Sequence, residues 1–352
     1  MTGPSGSIVL VVCQLTRFSE RFKHPNMSLD FVGTRSSEGR TLYSRVAEQV
    51  EALALAGPLG EETMLPSEWE LVELLGVSRG TLRRAIGDLE RSGLLRREAG
   101  RGTFVNPAAR LRRVVWGKLA QVAKPDSRFH FDFTSFIPDF EGSPKCVKAI
   151  CQTPEYRRAV TVVAMPDNNL EGFRYRALAD GKTLLVFTYG MLRGIVALEG
   201  NQIRAEDRNL AATLDGMERV GAKLSFSQLR SIGAIDLLVT GAAAVSRDGV
   251  HFGKGHGYLD LEWGLLSEMG LVNQKTPVIV SVHECQVVDE QVPYAAHDVT
   301  VDIVVTPSEV VRCRPLPKPA GLVWDRMPRE FAATRPYIKE VRKMRKARGE
   351  VA

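Results

Sequence analysis

Residues 65–105 read LPSEWELVELLGVSRGTLRRAIGDLERSGLLRREAGRGTFV, and this stretch decides the fold of the region around it. Ser67 and Glu70 have the S-x-x-E spacing in which each side chain accepts a hydrogen bond from the other residue's backbone N–H. This spacing predicts a helix that begins directly after Pro66. Its buried stripe consists of three leucines, Leu71, Leu74 and Leu75. Gly76 can adopt the left-handed conformation that ends such a helix.

A second helix is predicted almost immediately after the first. Ser78 can cap it, and Val77 and Leu82 have the spacing of a hydrophobic staple. The helical periodicity turns four apolar side chains inward, Leu82, Ala85, Ile86 and Leu89. The two helices therefore meet across a tight turn, as in a helix-turn-helix.

The outer face of the second helix is basic near its N-terminal end. In a helix-turn-helix this end meets the bases of the major groove. Arg79 can offer a bidentate fork to O6 and N7 of guanine. Three neighbours are better placed for phosphates or a second base, Thr81, Arg83 and Arg84.

A wing is predicted after Gly93, which stops the second helix. Two short strands, Leu94 to Glu98 and Thr103 to Val105, flank the turn Ala99-Gly100-Arg101-Gly102. Arg101 would then lie in or beside the minor groove. A helical domain with solvated arginines is the alternative interpretation, but two caps, a glycine-stopped turn, a basic face and a wing in this order favour DNA binding.

The stretch from Thr41 to Val105 resembles the DNA-binding domain of the GntR family of bacterial transcription regulators. The resemblance implies DNA contacts in the helix-turn-helix and the wing, at Ser67, Ser78, Arg79, Thr81, Arg83, Gly100 and Arg101. Trp69 departs from the family pattern, because many relatives have a phosphate-contacting arginine at this position.

The composition is that of a soluble protein with room for a small module and one larger domain: 352 residues, 44% hydrophobic and 25% charged. A net charge of +6 and a pI near 9.1 fit a polyanionic partner. Five cysteines without a C-x-x-C pair suit a reducing compartment. The apolar run from Ile8 to Cys13 is too short to span a membrane, so we expect a cytoplasmic protein.

We expect five parts along the chain. These are a flexible leader (1–38), the winged helix domain (39–106), a linker (107–113), a larger domain (114–313) and a basic C-terminal tail (314–352), of which Lys339 to Arg348 forms a helix or tail. The linker is basic, so phosphate contacts are an alternative interpretation of it.

The larger domain is predicted to be α/β with a mostly parallel sheet. Short β-branched runs alternate with helix-like segments such as Leu170 to Leu178 and Leu259 to Met269. The five runs predicted as buried strands are Ala159 to Met165, Thr183 to Thr188, Ala234 to Thr240, Val278 to Val282 and Val299 to Val305.

A glycine-alternating loop stands between a predicted strand and a predicted helix in this domain. Its backbone N–H groups could close around an anion at the following helix N-terminus, with Lys254 as a point charge. The loop reads Gly253-Lys254-Gly255-His256-Gly257-Tyr258. Asp260 or Glu262 could hold Mg²⁺ against a phosphate. A tight turn whose glycines serve packing is the alternative, since the loop fits neither the P-loop nor the dinucleotide pattern.

The span from Val114 to Cys313 resembles the 5-formyltetrahydrofolate cyclo-ligase family. The resemblance rests on the loop, which matches G-x-G-x-G-Y-Y-D, and on His297-Asp298 and Asp302 to Pro307 near the end of the span. Three further motifs resemble a divergent branch of the family, Asp167-Asn168-Asn169, Gly181-Lys182 and His283-x-x-Gln286. The family implies a Rossmann-like fold, in which Mg-ATP phosphorylates the formyl oxygen of 5-formyltetrahydrofolate before N10 attacks and phosphate leaves.

The resemblance implies nucleotide binding by the loop residues Gly253, Lys254, Gly255, His256, Gly257 and Tyr258, with Asp260 at the acidic end. The sequence departs from the family at Leu259, at Leu261-Glu262 and at His251, and Lys118 is only a candidate for its N-terminal ATP-binding lysine. We therefore assign no catalytic residue. The histidines fit no compact zinc pattern, so no zinc is expected.

Three hypotheses follow. In the first, a transcription regulator binds a palindromic operator as a homodimer, and its cyclo-ligase-like domain senses a nucleotide, a folate or a related metabolite. In the second, an ATP-dependent cyclo-ligase carries a DNA-binding module. In the third, the larger domain is an interaction scaffold that binds no ligand.

Overall fold

The computed structural model describes residues 42–59, 61–126, 133, 136–253, 257–290, 294–327 and 334–349. The chain divides into two compact units, Met1–Val114 and Val115–Ala352. The expected leader, residues 1–38, lies outside the described residues.

The first unit is a winged helix-turn-helix, as the sequence predicted. Its elements in chain order are α1 (Leu42–Leu55), β1 (Thr63–Met64), α2 (Glu68–Leu75), α3 (Arg79–Arg91), β2 (Leu95–Glu98), β3 (Gly102–Val105) and the start of α4 (Pro107–Leu119). The three strands form an antiparallel sheet in the order β1-β3-β2.

The predicted caps determine where α2 and α3 begin and end. The backbone N–H of Ser67 donates to Glu70 Oε2 over 2.9 Å, and that of Glu70 donates to Ser67 Oγ over 3.3 Å. Gly76 ends α2 with φ 62°, and Ser78 caps α3. The predicted inward side chains of α3 are buried, Leu82, Ala85, Ile86 and Leu89. The capping box and the inward stripe are therefore confirmed.

The basic stretch 107–113 lies within helix α4. Arg110 is fully buried there, and its guanidinium donates to the carbonyl of Ala54 over 2.7 Å, to the carbonyl of Pro58 and to Thr63 Oγ1. Because this guanidinium already donates hydrogen bonds to the segment that follows α1, it cannot serve as a phosphate contact.

The second unit is a Rossmann-like α/β domain. After α4 its helices are α5 (Ser143–Gln152), α6 (Pro154–Arg158), α7 (Glu171–Ala179), α8 (Arg208–Ala212), α9 (Met217–Val220), α10 (Phe226–Ser231), α11 (Tyr258–Glu268) and α12 (Pro336–Ala347). Its strands are β4 (Thr161–Ala164), β5 (Thr183–Phe187), β6 (Ile195–Glu199), β7 (Ala222–Lys223), β8 (Leu237–Gly241), β9 (Ala244–Ser246), β10 (His251–Phe252), β11 (Val278–Ser281), β12 (Val287–Val288), β13 (Ile303–Val305) and β14 (Val310–Arg312).

The main sheet has the order β14-β13-β11-β8-β4-β5-β6-β7. Its central strands, β13 to β5 in this order, pair in parallel, whereas β14, β6 and β7 pair antiparallel. The five predicted runs correspond to the five parallel strands. After β4 the chain adds β5 on one side of β4, and later adds β8 on the other side. The direction in which strands are added therefore reverses between β4 and β8. Such a reversal opens a crevice at the carboxyl ends of the strands.

The described residues after 313 belong to the second unit and pack within it. Helix α12 buries Tyr337, Ile338 and Val341, and the indole N–H of Trp263 in α11 donates to the carbonyl of Pro319 over 2.8 Å. The sequence analysis left a helix and a tail as alternatives for this basic segment, and the structure has a helix. None of the described helices is long and apolar enough to cross a membrane.

Candidate functional site

The N-terminal end of α3 presents the side chains expected to contact DNA. Ser78 Oγ accepts the backbone N–H of Thr81 over 3.1 Å, which fixes the first turn. The side chains of Arg79 and Arg83 are 66% and 55% exposed. The opposite face of the helix is buried, so these two guanidinium groups face solvent on a rigid support.

Glu68, which the sequence analysis did not single out, joins these two arginines. Its Oε2 accepts Nε–H of Arg79 over 3.2 Å and Nε–H of Arg83 over 2.9 Å. Burial alone would raise the pKa of Glu68, but the hydrogen bonds from Arg83 and Arg79 outweigh it and hold this pKa below its ordinary value. The glutamate is 11 and 15 residues away from its partners, so only the packing of α2 on α3 reveals the contact.

Arg84 is placed differently from Arg79 and Arg83. Its guanidinium lies over the ring of Tyr43 in α1, 4.5 Å from the ring centroid. This stacking orients Arg84 towards α1.

The wing turn depends on glycines. Gly100 and Gly102 have φ values of 74° and 130°, in the region that side chains disfavour. Arg101 between them is 69% exposed, pairs with Glu98, and lies 5.3 Å from the centroid of Phe104. The wing therefore presents one cation at its tip.

Trp69 is 70% exposed at the start of α2. Its indole N–H can donate a single hydrogen bond, where the family's arginine would bring a full charge. The phosphate contact that the resemblance would place here is accordingly weakened in this chain.

In the second unit, polar side chains gather at the carboxyl ends of the parallel strands. Asp167, after β4, accepts the backbone N–H of Gly241 over 2.8 Å at the end of β8. Asn169 Nδ2 donates to the carbonyl of Ser281 over 2.8 Å at the end of β11. Asn169 is 2% exposed, and its Oδ1 accepts no hydrogen bond from the described residues. A buried amide oxygen thus lies beside the crevice between β4 and β8.

The His283-x-x-Gln286 motif lies at the same edge. Gln286 Oε1 accepts the backbone N–H of His283 over 2.8 Å, and Gln286 Nε2 donates to the carbonyl of Ala242 over 2.6 Å. These bonds tie the chain after β11 to the chain after β8, so the motif holds the crevice in shape.

Gly181-Lys182 lies at the opposite edge, directly before β5. Lys182 is buried, its Nζ donates to the carbonyl of Ala159 over 2.5 Å, and it lies 4.3 Å from the ring centroid of Tyr156. This motif stabilises the amino edge of the sheet and does not face the crevice.

The glycine loop leads into α11, the helix that returns the chain from β8 to the parallel strand β11. Its N-terminus therefore lies on the side of the carboxyl ends. Gly257 begins the helix with φ 63° and no side-chain cap, and no described atom lies within 4 Å of a Cβ built at Gly253. The ring of Tyr258 contacts Tyr189, which follows β5, at a centroid distance of 6.1 Å. Lys254, Gly255 and His256 lie outside the described residues.

The two magnesium candidates do not share a face. Asp260 and Glu262 are two residues apart in α11, so their side chains point to opposite sides of the helix. Glu262 is 2% exposed, next to the buried Trp263. Asp260 Oδ1 accepts the backbone N–H of Val299 over 2.8 Å, and burial raises its pKa. Asp260 is the better placed of the two.

A metal cluster is not formed by side chains of the described part of the chain, where no group of three or more His, Cys, Asp and Glu residues converges. His251, which replaces the family's arginine, is buried, and its Nδ1 lies 2.9 Å from the carbonyl oxygen of Val299. It therefore does not supply an exposed cation to the loop.

Lys118, the candidate lysine, is exposed on α4. Burial raises the pKa of the Cys285 thiol to about 11, and the positive charge of Lys118 acts in the opposite direction. Cys285 belongs to the turn that holds the crevice, so this lysine is close to it.

Together the winged helix-turn-helix and the parallel sheet with its crevice define a two-part protein, a DNA-binding module joined to a Rossmann-like domain. Residues 108–307 match the model of the 5-formyltetrahydrofolate cyclo-ligase family, and residues 42–105 match that of the bacterial regulatory proteins of the gntR family. The first match covers more than half of this chain. The chain therefore belongs to the 5-formyltetrahydrofolate cyclo-ligase family.

The relatives divide in the same way. The methenyltetrahydrofolate synthase domain-containing protein of Homo sapiens is 33% identical over 241 residues, 66% of this chain and 60% of that protein. The HTH-type transcriptional repressor NagR of Bacillus subtilis is 43% identical over 65 residues, 18% of this chain and 27% of that protein. The NMR structure of Aquifex aeolicus 5,10-methenyltetrahydrofolate synthetase is 19% identical, with a TM-score of 0.40, and the match covers 60% of this chain and 95% of that one. The chain spans less than two thirds of the length of the methenyltetrahydrofolate synthase domain-containing proteins.

Proposed function

We propose that the protein is a cytoplasmic transcription regulator that binds a DNA operator through its first unit. The observation that carries this proposal is the exposed pair Arg79 and Arg83 at the capped N-terminal end of α3, next to a wing that presents Arg101. Arg79 would read a guanine, and Arg83, Arg84 and Arg101 would contact phosphates or the minor groove. The name of NagR, a transcriptional repressor, supports the same role.

The operator would be a palindrome that a homodimer recognises. One helix-turn-helix reads only a few base pairs, so two copies give the affinity and spacing that a regulator needs. The Ser67 and Ser78 hydroxyls and the Thr81 side chain would add phosphate contacts, and Gly100 would let the wing approach the backbone closely.

The second unit would bind a nucleotide, a folate or a related metabolite at its carboxyl edge. Three features fit an anionic ligand there: the uncapped helix start at Gly257, the open position at Gly253, and Lys118 near the crevice. The buried amide oxygen of Asn169 would instead accept a hydrogen bond from an N–H or O–H group of the ligand. Lys254, Gly255, His256 and Tyr258 would complete the phosphate loop. Asp260 would hold Mg²⁺, which would neutralise phosphate charge when bound.

Ligand binding would act as the regulatory signal. A ligand changes operator affinity only if it binds the DNA-competent and DNA-incompetent states with different affinity. The ligand-free and ligand-bound protein would therefore differ in operator affinity by the same factor that separates ligand affinity with and without DNA.

Cyclo-ligase activity is the second candidate function. Tyr258 and Asp260 match the family's loop motif by resemblance, which supports this candidate. The side chains at Leu259 and His251, however, cannot supply the hydroxyl and the exposed cation that the family has there. Formation of methenyltetrahydrofolate from 5-formyltetrahydrofolate and Mg-ATP, lost in Lys254→Ala, would establish this activity.

The deciding experiment measures thermal stabilisation of the full chain by Mg-ATP, 5-formyltetrahydrofolate and pterins, singly and in pairs. A ligand at a hundred times its dissociation constant adds about 2.7 kcal/mol to stability. Any ligand found this way is then added to an operator-binding titration. A ligand that stabilises the protein but leaves operator affinity unchanged would refute sensing, and no stabilisation by any of them would favour a scaffold.

A further inference from the structure

A single carboxylate organises the DNA-reading end of α3. Glu68, the first residue of α2, bonds both Arg79 and Arg83 through the same oxygen, Oε2. Its other oxygen lies 4.0 Å from Nη1 of Arg97 in β2. Glu68 is 22% exposed, whereas both arginines are more than half exposed, so the carboxylate lies beneath the two guanidinium groups.

Both bonds use the same atom of the arginine. Each guanidinium donates to Glu68 through Nε, and among the described residues neither Arg79 nor Arg83 makes another side-chain hydrogen bond. Four terminal nitrogens, two on each residue, therefore remain available. The two terminal nitrogens of one guanidinium are sufficient for the bidentate contact to O6 and N7 of guanine.

We propose that Glu68 is a positioning residue that sets base specificity by holding Arg79 and Arg83 in their guanine-reading orientation. The inference rests on the proposed DNA-binding function and names a residue that resemblance alone does not assign. Glu68 would contact the two arginines, not the DNA.

Two physical effects point to specificity rather than to affinity. First, an arginine held in its bound rotamer loses less side-chain freedom when it meets the right base. Second, the carboxylate reduces the combined charge of the three groups from +2 to +1, which weakens their attraction to any phosphate. A correct base pair gains from the first effect, and non-specific DNA loses from the second.

The test uses the full chain and a DNA duplex that the wild type selects from a random pool. Dissociation constants for this duplex and for a scrambled one are measured over a range of salt concentrations. Glu68→Gln removes the charge, and Glu68→Asp keeps the charge but shortens the reach. Glu73→Gln is the matched control, since Glu73 lies exposed on the same helix and no contact of it with Arg79 or Arg83 is present in the described structure.

We expect Glu68→Gln to lower the ratio of selected to scrambled affinity by about tenfold, with tighter binding of scrambled DNA and a salt slope steeper by about 1. Glu68→Asp should lower the ratio with an unchanged salt slope, because the charge stays and the contact with Nε is lost. Circular dichroism should show that all variants fold.

Equal ratios in the wild type, Glu68→Gln and Glu73→Gln would overturn the role of Glu68. A ratio that falls only because the fold is lost would also overturn it, and the melting temperature reveals this case. If the wild type selects no sequence from the pool, the proposed DNA-reading function fails instead, so the two failures are distinguishable.

Discussion

The exposed arginines at the start of α3 and the buried Arg174 of the second unit use the same side chain in opposite ways. In the first unit, Arg79 and Arg83 are exposed and share the carboxylate of Glu68. In the second unit, Arg174 on α7 is completely buried and donates to three backbone carbonyls. The same side chain is therefore accessible to a ligand where it is exposed and holds the fold where it is buried.

The energetic difference depends on whether the hydrogen-bond partners of the arginine find a replacement when the arginine is removed. An exposed guanidinium that leaves its carboxylate exchanges one partner for water or DNA, at a cost of about 0–1 kcal/mol. A buried guanidinium that is removed leaves carbonyl groups without a donor in a medium that cannot replace it, at about 1–3 kcal/mol for each group. Substitutions in the two places should thus affect different measurements.

The largest effect is expected for Arg174→Met. Arg174 bonds the carbonyls of Ala212 (2.7 Å), Met165 (3.0 Å) and Asp167 (2.9 Å), and methionine fills similar volume without any donor. The free energy of unfolding of the second unit should fall by about 3–5 kcal/mol. Urea unfolding followed by circular dichroism and tryptophan fluorescence measures this loss, with the two units fitted as separate transitions.

Arg176→Met is the matched control for this variant. Arg176 lies on the same helix, is 56% exposed and pairs with Asp180, so its loss should cost less than about 0.5 kcal/mol. Similar losses for both variants would contradict the distinction between the exposed and the buried arginine.

The next largest effect concerns DNA. Arg79→Ala should lower affinity for the selected duplex by about 1–3 kcal/mol and relax the base preference, because the fork to guanine is lost. Arg101→Ala should weaken selected and scrambled duplexes alike, since the wing cation is proposed to contact the DNA without reading a base. Fluorescence anisotropy with both duplexes measures each variant. Equal losses for selected and scrambled DNA in Arg79→Ala would show that Arg79 reads no base.

The sequence predicted most of the first unit because its signals are local. A cap such as Ser67 and its partner Glu70 are three residues apart, and Gly76 ends the helix by its own conformation. The same holds for the five parallel strands, whose apolar runs are continuous. These features depend on the residue and its near neighbours, so they can be read without the fold.

Features that depend on distant contacts were not predicted. Glu68 joins α2 to α3 across a turn, and Arg110 reaches back from α4 to the chain after α1. The separation of Gly181-Lys182 from the other family motifs follows from the strand order, which a linear pattern does not contain. The antiparallel strands β6, β7 and β14 were missed because two of them are short and all three lie towards the sheet edges.

A smaller effect is expected at the helix cap. Ser67→Ala removes the acceptor for the backbone N–H of Glu70 and should cost about 1 kcal/mol of stability in the first unit. Because the capping box is reciprocal, Ser67→Ala and Glu70→Ala should not be additive. Thermal unfolding of the two single variants and the double variant measures this coupling. Strictly additive losses would mean that the box contributes no more than two separate bonds.

The smallest effect tests whether exposed ion pairs of the first unit contribute to stability at all. Glu90 in α3 accepts the backbone N–H of Arg97 over 3.1 Å and its Nε–H over 2.8 Å. The hydrogen bonds from Arg97 hold the pKa of Glu90 below its ordinary value of 4.5, although burial opposes them. A lowered carboxyl pKa contributes stability that is fully present above pH 4.5 and is lost as the pH falls through the folded-state pKa.

Glu90→Gln should therefore lose about 0.2–1 kcal/mol at pH 7 and show a weaker decline in stability below pH 4.5 than the wild type. Hydrogen exchange of the β2 and β3 amides, corrected for intrinsic rates at each pH, measures this difference locally. Arg97→Ala should flatten the same part of the pH profile, because it removes the same pair from the other side, whereas Glu73→Gln should not. If Glu90→Gln retains the wild-type pH profile, the ion pair between Glu90 and Arg97 does not contribute to the stability of the first unit. The contrast with Arg174 would then be sharper, because an exposed arginine would contribute nothing measurable to stability even when it is paired.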